Sequence, residues 1–181
     1  MQLRGARVVL RPLRPDELET IAEAQTRLYS FVEESPAAVE RRLRKRIQHS
    51  GRLVDGWLDL GIEAEGRLVG DITARNPTNA FPPGVFEFGI SVFAATDRGK
   101  GYGRDATELL TSHLFDEHGA GRVQATTAVD NLAMRRVLEG LGFVHEGTLR
   151  AFMPGPDGRE DYAMYAVTRE EWARPRSASP V

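Results

Sequence analysis

Cysteine is absent from this chain of 181 residues. Its absence excludes a disulfide framework, a metal site built on thiolates and a cysteine nucleophile. The chain also lacks an excess of charge of one sign. It has 24 lysine and arginine residues and 26 aspartate and glutamate residues, for a formal net charge of −2. Dedicated nucleic-acid-binding proteins are usually strongly basic, so we expect no nucleic-acid partner.

Long apolar runs are missing as well. No stretch approaches the roughly 20 apolar residues of a membrane-spanning helix, and residues 1–14 hold no apolar core of signal-peptide length. We therefore expect a cytoplasmic protein without a membrane partner. A chain of this length, with 41% hydrophobic residues, suits one domain. We expect that domain to span residues 1–174, and the Ser/Pro-rich segment 175–181 to be disordered.

Local periodicity predicts seven strands and four helices, followed by a short last turn. The predicted strands are 7–13, 57–63, 68–73, 85–92, 123–127, 143–150 and 161–167. The predicted helices are 17–28 with Asp16 as N-cap, one from Pro36 to a stop at Gly51, 101–118 and 131–141. This order predicts a single α/β domain with a mixed sheet of about seven strands and helices on both faces. Strands 85–92 and 123–127 should form a parallel pair.

The most informative stretch runs from Phe86 to Ala106, where a strand gives way to a helix. Residues 98–104 read Arg-Gly-Lys-Gly-Tyr-Gly-Arg. Glycine permits a positive φ and close approach by another group. A helix that begins there presents unpaired N–H groups and a positive dipole end, which bind phosphate well. Arg98, Lys100 and Arg104 add positive charge, so the stretch predicts an anion site.

Three other interpretations of this stretch are weaker. A phosphate-binding P-loop would need a glycine where Ala94 stands and a Ser or Thr after Lys100. A dinucleotide fingerprint fits the letters Gly101-x-Gly103-x-x-Ala106, but its strand should be continuously apolar, whereas 86–92 alternates. The expected ribose-binding acid is also missing from residues 120–128. The third interpretation is a glycine-rich turn with no ligand.

Four motifs carry a resemblance to the GCN5-related N-acetyltransferase (GNAT) superfamily. Arg98-x-x-Gly101-x-Gly103 matches its Gln/Arg-x-x-Gly-x-Gly/Ala signature, and residues 131–143 resemble its Asn-x-x-Ser-x-x-x-Leu-x-x-x-Gly-Phe signature. The subgroup that acetylates ribosomal protein N-termini and small amines is most similar. It typically opens with a strand ending Leu-Arg-Pro-Leu, as residues 10–13 do, and closes with a Glu-Glu-Trp helix, as residues 170–172 do.

The resemblance implies an acyl-CoA N-acyltransferase fold that binds acetyl-CoA and needs no metal. It implies a splayed gap between strands 85–92 and 123–127, where the cofactor enters. The backbone of Val92 and Phe93 should meet the pantetheine and the acetyl oxygen, and Asn131 should bond the pantetheine while also capping a helix. The pyrophosphate should lie on Arg98, Gly99, Lys100, Gly101, Tyr102, Gly103 and Arg104.

Glu87 is the candidate catalytic base. A period of two places it on one face with Gly89 and Ser91, and in similar proteins a Glu at this position points into the acceptor pocket. The alternative is an exposed strand residue. His113 and His145 are further bases, each better explained as structural or exposed.

The general acid is unassigned. The family often places a Ser or a Tyr where this chain has Met134 and Leu138, and neither side chain can donate a proton to the leaving sulfur. Water, Tyr102 or Tyr162 could serve, or the thiolate could leave unaided, because a thiol pKa is near 8.5.

The leading prediction is an acetyl-CoA-dependent N-acetyltransferase that acts on a primary amine by direct attack in a ternary complex. The acceptor is a protein N-terminus, an amino acid or a small amine, and a homodimer is left open. The alternatives are a non-catalytic acyl-CoA-binding module and a dinucleotide-binding oxidoreductase. The basic residues 41–46 are interpreted either as a solvated helix face or as a rim that attracts an acidic substrate or the cofactor's ribose phosphate.

Overall fold

The computed structural model describes residues 1–28, 34–155 and 157–174. Within these ranges it has eight strands and five α-helices. The strands are β1 (Leu3–Arg4), β2 (Val9–Arg11), β3 (Trp57–Ala64), β4 (Arg67–Arg75), β5 (Val85–Val92), β6 (Arg122–Ala128), β7 (Val144–Gly155) and β8 (Gly158–Thr168). The helices are α1 (Leu18–Leu28), α2 (Pro36–His49), α3 (Tyr102–Glu117), α4 (Leu132–Gly140) and α5 (Arg169–Ala173). The expected disordered tail, 175–181, lies outside the described residues.

One mixed sheet organises the chain, in the order β1-β2-β3-β4-β5-β6-β8-β7. Every neighbouring pair is antiparallel except β5 and β6, which are parallel and connected through α3. This confirms the predicted mixed sheet and its parallel pair. The sheet has one strand more than expected, because β1 is a two-residue strand, too short to show any periodicity.

Helices cover both faces of the sheet, as predicted. Leu68 and Val69 follow each other on β4 and belong to different cores. The register of β3 and β4 shifts here, between Ile62 and Glu63, so the alternation of the rest of β4 is interrupted at Val69. Val69 packs in the larger core with α3 and α4, and Leu68 packs on the smaller core, which contains Ile21 of α1 and Leu43 of α2. Arg46 of α2 reaches Asp59 and Asp71 on the face of the sheet that carries Glu87, so the smaller core holds α1 and α2 over that face.

The predicted start of the first helix was wrong. Pro15–Glu17 forms a 3₁₀ turn and α1 begins at Leu18, so Asp16 is inside the turn and is not a cap. The Glu17 carboxylate accepts from the backbone N–H of Arg14 at 2.8 Å and from Arg11 at 3.0 Å, which holds the turn tight.

The predicted first strand was too long. The backbone N–H groups of Arg7 and Val8 donate to Asp105 of α3 at 2.7 and 2.9 Å instead of extending the ladder. At the other end, Pro12 has no N–H with which to continue β2. These contacts tie the start of the chain to the first turns of α3.

Candidate active site

A gap opens between β5 and β6. Their parallel ladder comprises three pairs, of which Glu87↔Gln124 is the last. Beyond that pair, β6 continues along β8 as far as Ala128↔Tyr162, while β5 continues along β4 as far as Gly70↔Val92. The two strands therefore diverge where the resemblance implied that the cofactor enters.

The backbone of Val92 faces this gap. The N–H of Phe93 donates to the carbonyl of Val69 on β4 at 2.9 Å. Backbone groups alternate between the two sides of an antiparallel strand, so the N–H and C=O of Val92 point away from β4. The Phe93 N–H is thus engaged by β4, and its carbonyl accepts from Arg27 at 3.3 Å.

The glycine-rich loop leads into the N-terminus of α3. Gly101 is the N-cap of α3, with φ of 83°, and Gly99 has φ of 77°, both in the left-handed region that favours glycine. The first intrahelical bond runs from the N–H of Asp105 to the carbonyl of Gly101, at 3.1 Å. The N–H groups of Tyr102, Gly103 and Arg104 come before that bond and have no partner within the helix.

Two of the three cations in this loop have internal partners. Lys100 donates to Asp97 at 3.0 Å, and Arg104 donates to the carbonyl of Gly140 at 2.9 Å. Arg67 also donates to Asp97, and together with Lys100 it holds the pKa of that carboxyl well below its usual range. Arg98 is exposed and forms no ion pair with the described residues. Among the described residues of the loop, backbone N–H groups and Arg98 are therefore left available to an anion.

Tyr102 is oriented toward the β3–β4 hairpin. Its hydroxyl donates to Glu65 in the hairpin turn at 3.0 Å, and burial followed by this bond raises its pKa. A cavity of about 440 Å³ lies beside it, lined also by Ala6, Arg7 and Lys100. This arrangement supports the loop from outside the gap and leaves the hydroxyl engaged with a carboxylate.

Asn131 joins α4 to the strand beside the gap. Its carbonyl oxygen accepts from the N–H of Met134 at 3.2 Å, so it is the N-cap of α4. Its amide donates to Thr127 of β6 at 3.1 Å. Because the amide carries two N–H donors, one remains for a ligand.

A second cavity, of about 730 Å³, lies over the sheet on the side of α1 and α2. Its floor consists of alternate residues of β3, β4 and β5 in three cross-strand rows. The rows are Trp57–Arg75–Glu87, Asp59–Thr73–Gly89 and the pair Asp71–Ser91. The sequence placed Glu87, Gly89 and Ser91 on one face, and all three line this cavity.

Glu87 lies in the first row and is only 7% exposed. Arg75 donates to its Oε1 through Nη2 and, at 3.1 Å, through Nε. Gln124 donates to its Oε2 at 3.1 Å. An ionised carboxylate offers about four acceptor positions. Three are filled, so one remains for an amine or a water molecule in the cavity.

The middle of the floor carries a buried charge cluster that sequence reasoning missed. Arg46 of α2 donates to Asp59 at 2.8 Å and to Asp71 at 3.0 Å, and Thr73 donates to Asp59 at 2.9 Å. Burial raises the pKa of Asp71, against the opposing effect of Arg46. Alternation on β4 placed Asp71 and Thr73 on one face, but no local pattern connects them to a helix 25 residues earlier.

The remaining positions considered for an acid or a base are in the larger core, in contact with other rings, or in the cavity. Leu138 is fully buried in the larger core, and Met134 packs against it. His113 faces His118, with 3.2 Å between their Nε2 atoms. His145 packs against Tyr165, with ring centroids 5.1 Å apart. Tyr162 lines the cavity that holds Glu87 and packs against Phe152, with ring centroids 5.7 Å apart.

Comparisons with known proteins agree with this geometry. A model of the acetyltransferase (GNAT) domain matches residues 7–144. The FsC-acetyl coenzyme A-N(2)-transacetylase of Aspergillus fumigatus is 32% identical over 123 residues, which cover 64% of this chain and about half, 52%, of that enzyme. YdaF of Bacillus subtilis, named as a candidate ribosomal N-acetyltransferase, is 29% identical over 176 residues, covering 91% of this chain and 93% of its own.

A solved structure shows the same fold. Mycobacterium smegmatis RimJ in complex with CoA-disulfide has a TM-score of 0.76 and 21% identity, and the match covers 96% of this chain and 90% of that one. At this identity the likeness concerns the fold alone.

The chain belongs to the GNAT acetyltransferase family, since the family model matches most of its length. Its enzyme class is that of acetyl-CoA-dependent N-acetyltransferases, and its substrates are an acyl donor and an amine acceptor. The dinucleotide interpretation of the glycine loop is thereby set aside. Among the described residues, no helix is long and apolar enough to span a membrane, and no group of three or more candidate ligands could hold a metal ion.

Proposed function

We propose that the chain acetylates a primary amine bound in the cavity over Gly89, with Glu87 as the base. One observation carries the proposal: β5 bears both halves of the site. The backbone of Val92 faces the gap beside the anion-binding loop, and Glu87 lies five residues earlier in the floor of the cavity. Acetyl donor and amine can therefore approach each other along a single strand.

The cofactor would be held by backbone groups. Its pyrophosphate would accept from the N–H groups between Arg98 and Arg104, where the helix dipole favours negative charge. The pantetheine amides would pair with the free edge of β5 near Val92, as an added strand does. The remaining N–H of Asn131 would donate to the pantetheine from the α4 side.

The reaction would proceed by direct attack. An alkyl ammonium with a pKa near 10 must lose a proton before it can act as a nucleophile. Glu87 would accept that proton at its remaining acceptor position, directly or through a water molecule. The amine nitrogen would then form a bond to the thioester carbon, the carbon–sulfur bond would break, and coenzyme A would leave as the thiolate.

Of the two tyrosines considered as donors to the departing sulfur, Tyr162 of β8 lines the cavity, and Tyr102 lies outside it with its hydroxyl bonded to Glu65. Departure of the thiolate without a donor is also chemically reasonable, because a thiol pKa near 8.5 makes it a moderate leaving group. Positioning of donor and amine together would supply much of the acceleration.

The acceptor is proposed to be a small amine or a protein N-terminus. The cavity volume of about 730 Å³ falls in the range of about 300–1,000 Å³ that small-molecule sites occupy. One relative is named for transacetylation with acetyl coenzyme A and another for ribosomal N-acetylation, which supports both classes. A cytoplasmic location and a homodimer remain predictions.

A panel of primary amines tests the proposal, with release of the coenzyme A thiol as the readout. The panel should include simple alkylamines, amino acids, dipeptides and an aminoglycoside. Turnover of at least one amine, abolished when acetyl-CoA is omitted, is the expected result. Tight binding of acetyl-CoA with no turnover of any amine would instead favour the non-catalytic acyl-CoA-binding module.

A further inference from the structure

Helix α2 forms one wall of the acceptor cavity and lines it with basic side chains. Arg42, Lys45, Arg46 and His49 all border the cavity. They occupy positions i, i+3, i+4 and i+7, which share one face of a helix. Arg41 and Arg44 of the same helix are exposed and do not line it. The basic run is thus divided between a solvated face and a cavity wall.

Acidic partners neutralise two of these four side chains. Arg42 pairs with Glu34 at 2.8 Å. Arg46 is shared by Asp59 and Asp71 in the floor. Both guanidinium groups are therefore committed to the protein itself.

The other two, Lys45 and His49, have no hydrogen-bond or ion-pair partner among the described residues. They are neighbours one turn apart on the cavity face of α2. Lys45 offers a cationic donor with three N–H groups, and His49 offers a ring N–H. Two adjacent unused donors on the wall of a binding cavity match an acceptor group with two oxygens.

We infer that the amine acceptor also carries a carboxylate, which Lys45 and His49 bind while the amine lies at Glu87. The inference rests on the proposed function, because it takes the cavity to be the acceptor site. The inferred substrate is an amino acid or a peptide whose amine and carboxylate are well separated.

The spacing of the strands in the sheet determines the distance between the amine and the carboxylate. Glu87 is on β5, whereas α2 lies over β3 and β4, where Arg46 reaches Asp59 and Asp71. Neighbouring strands are about 4.8 Å apart, so amine and carboxylate would be separated by roughly 5–10 Å. An extended dipeptide spans about 7 Å, whereas a free α-amino acid holds the two groups too close together.

The middle of such an acceptor would meet aromatic surface. Trp57 and Phe152 line the same cavity and are 43% and 39% exposed, which is unusual for side chains of this size. They suit an apolar side chain between the two charged ends. The carboxylate of Asp55 also lines the cavity and has no partner within the described part of the chain, so preference for a second ammonium is the competing outcome.

Glycyl-phenylalanine and glycyl-phenylalaninamide provide the test, because they share an amine and an apolar side chain and differ in the carboxylate. We expect the wild-type kcat/KM to be about tenfold or more higher for the acid, as a charge-assisted hydrogen bond implies. In the double variant Lys45→Gln/His49→Gln, the KM for the acid should rise about tenfold with kcat nearly unchanged. The KM for the amide should change less than about twofold, and Arg41→Gln, a matched loss of charge on the same helix, should change neither.

Equal use of the two dipeptides by the wild type, or a preference for the acid that survives in the double variant, overturns the inference. A preference for the amide overturns it in favour of a cationic acceptor. If propylamine is acetylated while neither dipeptide is, the acceptor class is wrong and the proposed function stands. If no amine in the panel is acetylated, both fail.

Discussion

Arg75 and Glu87 are paired across β4 and β5, and Arg75 donates two N–H groups to one oxygen of the Glu87 carboxylate. The guanidinium also lies over the rings of Trp57 and Phe81, with 5.9 and 5.8 Å to their centroids. The side chain of Arg75 is therefore held from three sides. The proposed base is fixed in position by this arginine and keeps one acceptor position for the substrate.

Replacement of Glu87 by glutamine tests its role as the base. The amide retains the shape of the carboxylate and cannot take a proton. We expect kcat to fall at least tenfold, because a general base typically contributes about 10²–10⁴-fold. The KM for acetyl-CoA should hardly change, because Glu87 faces the acceptor cavity. Raising the pH should partly restore the rate, since more of the amine is then already neutral.

Glu146→Gln is the matched control for that variant. Glu146 also pairs with an arginine, Arg122, but lies outside the cavity. Its loss should leave kcat unchanged. If Glu87→Gln keeps the wild-type kcat with an established acceptor below about pH 8, where the amine is still largely protonated, water or another side chain takes the proton.

Gly103→Val probes the proposed pyrophosphate site. A Cβ at Gly103 would meet only Ile90 of β5, at 3.9 Å, so the protein should fold. The branched side chain would nevertheless obstruct backbone that has to contact phosphate. We expect coenzyme A affinity, measured by isothermal titration calorimetry, to fall about tenfold or more, comparable to the loss of one charge-assisted hydrogen bond.

Gly101→Val is a less clean probe of the same site. Gly101 has φ of 83°, and a Cβ there would meet Arg7 at 3.1 Å, so valine strains the fold whether or not phosphate binds there. Melting of both variants without ligand separates the two effects. Unchanged affinity in a folded Gly103→Val protein would refute the backbone phosphate site.

Short-range signals in the sequence predicted much of this site. The turn at Glu65-Gly66, the alternation of 85–92 and the glycines before α3 each specify structure within a few residues. The structure accordingly has β5 at Val85–Val92 and begins α3 at Tyr102, directly after Gly101. The cavity face of β5 follows from that alternation, whereas the gap beside β5 was expected from the family resemblance alone.

Long-range pairings were not predictable in the same way. Lys100 was expected to add positive charge at the anion site, yet it is bound by Asp97, which also binds Arg67, 30 residues earlier than Asp97. Arg46 was placed on a basic helix face, yet it is held by Asp59 and Asp71 on two strands. Such pairs depend on how helices dock on the sheet, which periodicity does not specify.

Substitution of Gly89 by alanine, valine and leucine measures the acceptor cavity. A Cβ at Gly89 would meet none of the described residues within 4 Å, and it would stand in the floor between Glu87 and Ser91. Acceptor KM should rise with side-chain size, by about tenfold or more for leucine, since leucine displaces the acceptor from well-packed contacts. Coenzyme A affinity should stay the same, and stability should not fall, because glycine weakens a strand interior.

The graded series contains its own control. Alanine should have the smallest effect, and all three variants should bind coenzyme A as the wild type does. Wild-type acceptor KM in a folded Gly89→Leu protein would place the acceptor outside this cavity, and an equal loss of coenzyme A affinity would mean that the substitution disturbs the gap instead.

Arg46→Met tests the buried charge cluster through its pH dependence. Removing Arg46 leaves Asp59 and Asp71 buried without their cation, so the free energy of unfolding should fall by about 3–5 kcal/mol at pH 8. Burial already raises the pKa of Asp71, and without Arg46 this effect is unopposed by its main partner. The native state of the variant then binds protons more tightly than the unfolded state, so its stability should increase as the pH falls from 8 to 5. Urea denaturation at both pH values measures the change.

Arg44→Met, which removes an exposed pair with Glu40, should cost less than about 1 kcal/mol at either pH. The double variant Arg46→Met/Asp71→Asn should recover part of the loss at pH 8, because it removes one of the two buried charges. If Arg46→Met is as stable as Arg44→Met at pH 8, the cluster does not hold α2 on the sheet, and the wall of the acceptor cavity must be fixed by the apolar contacts of Leu43 instead.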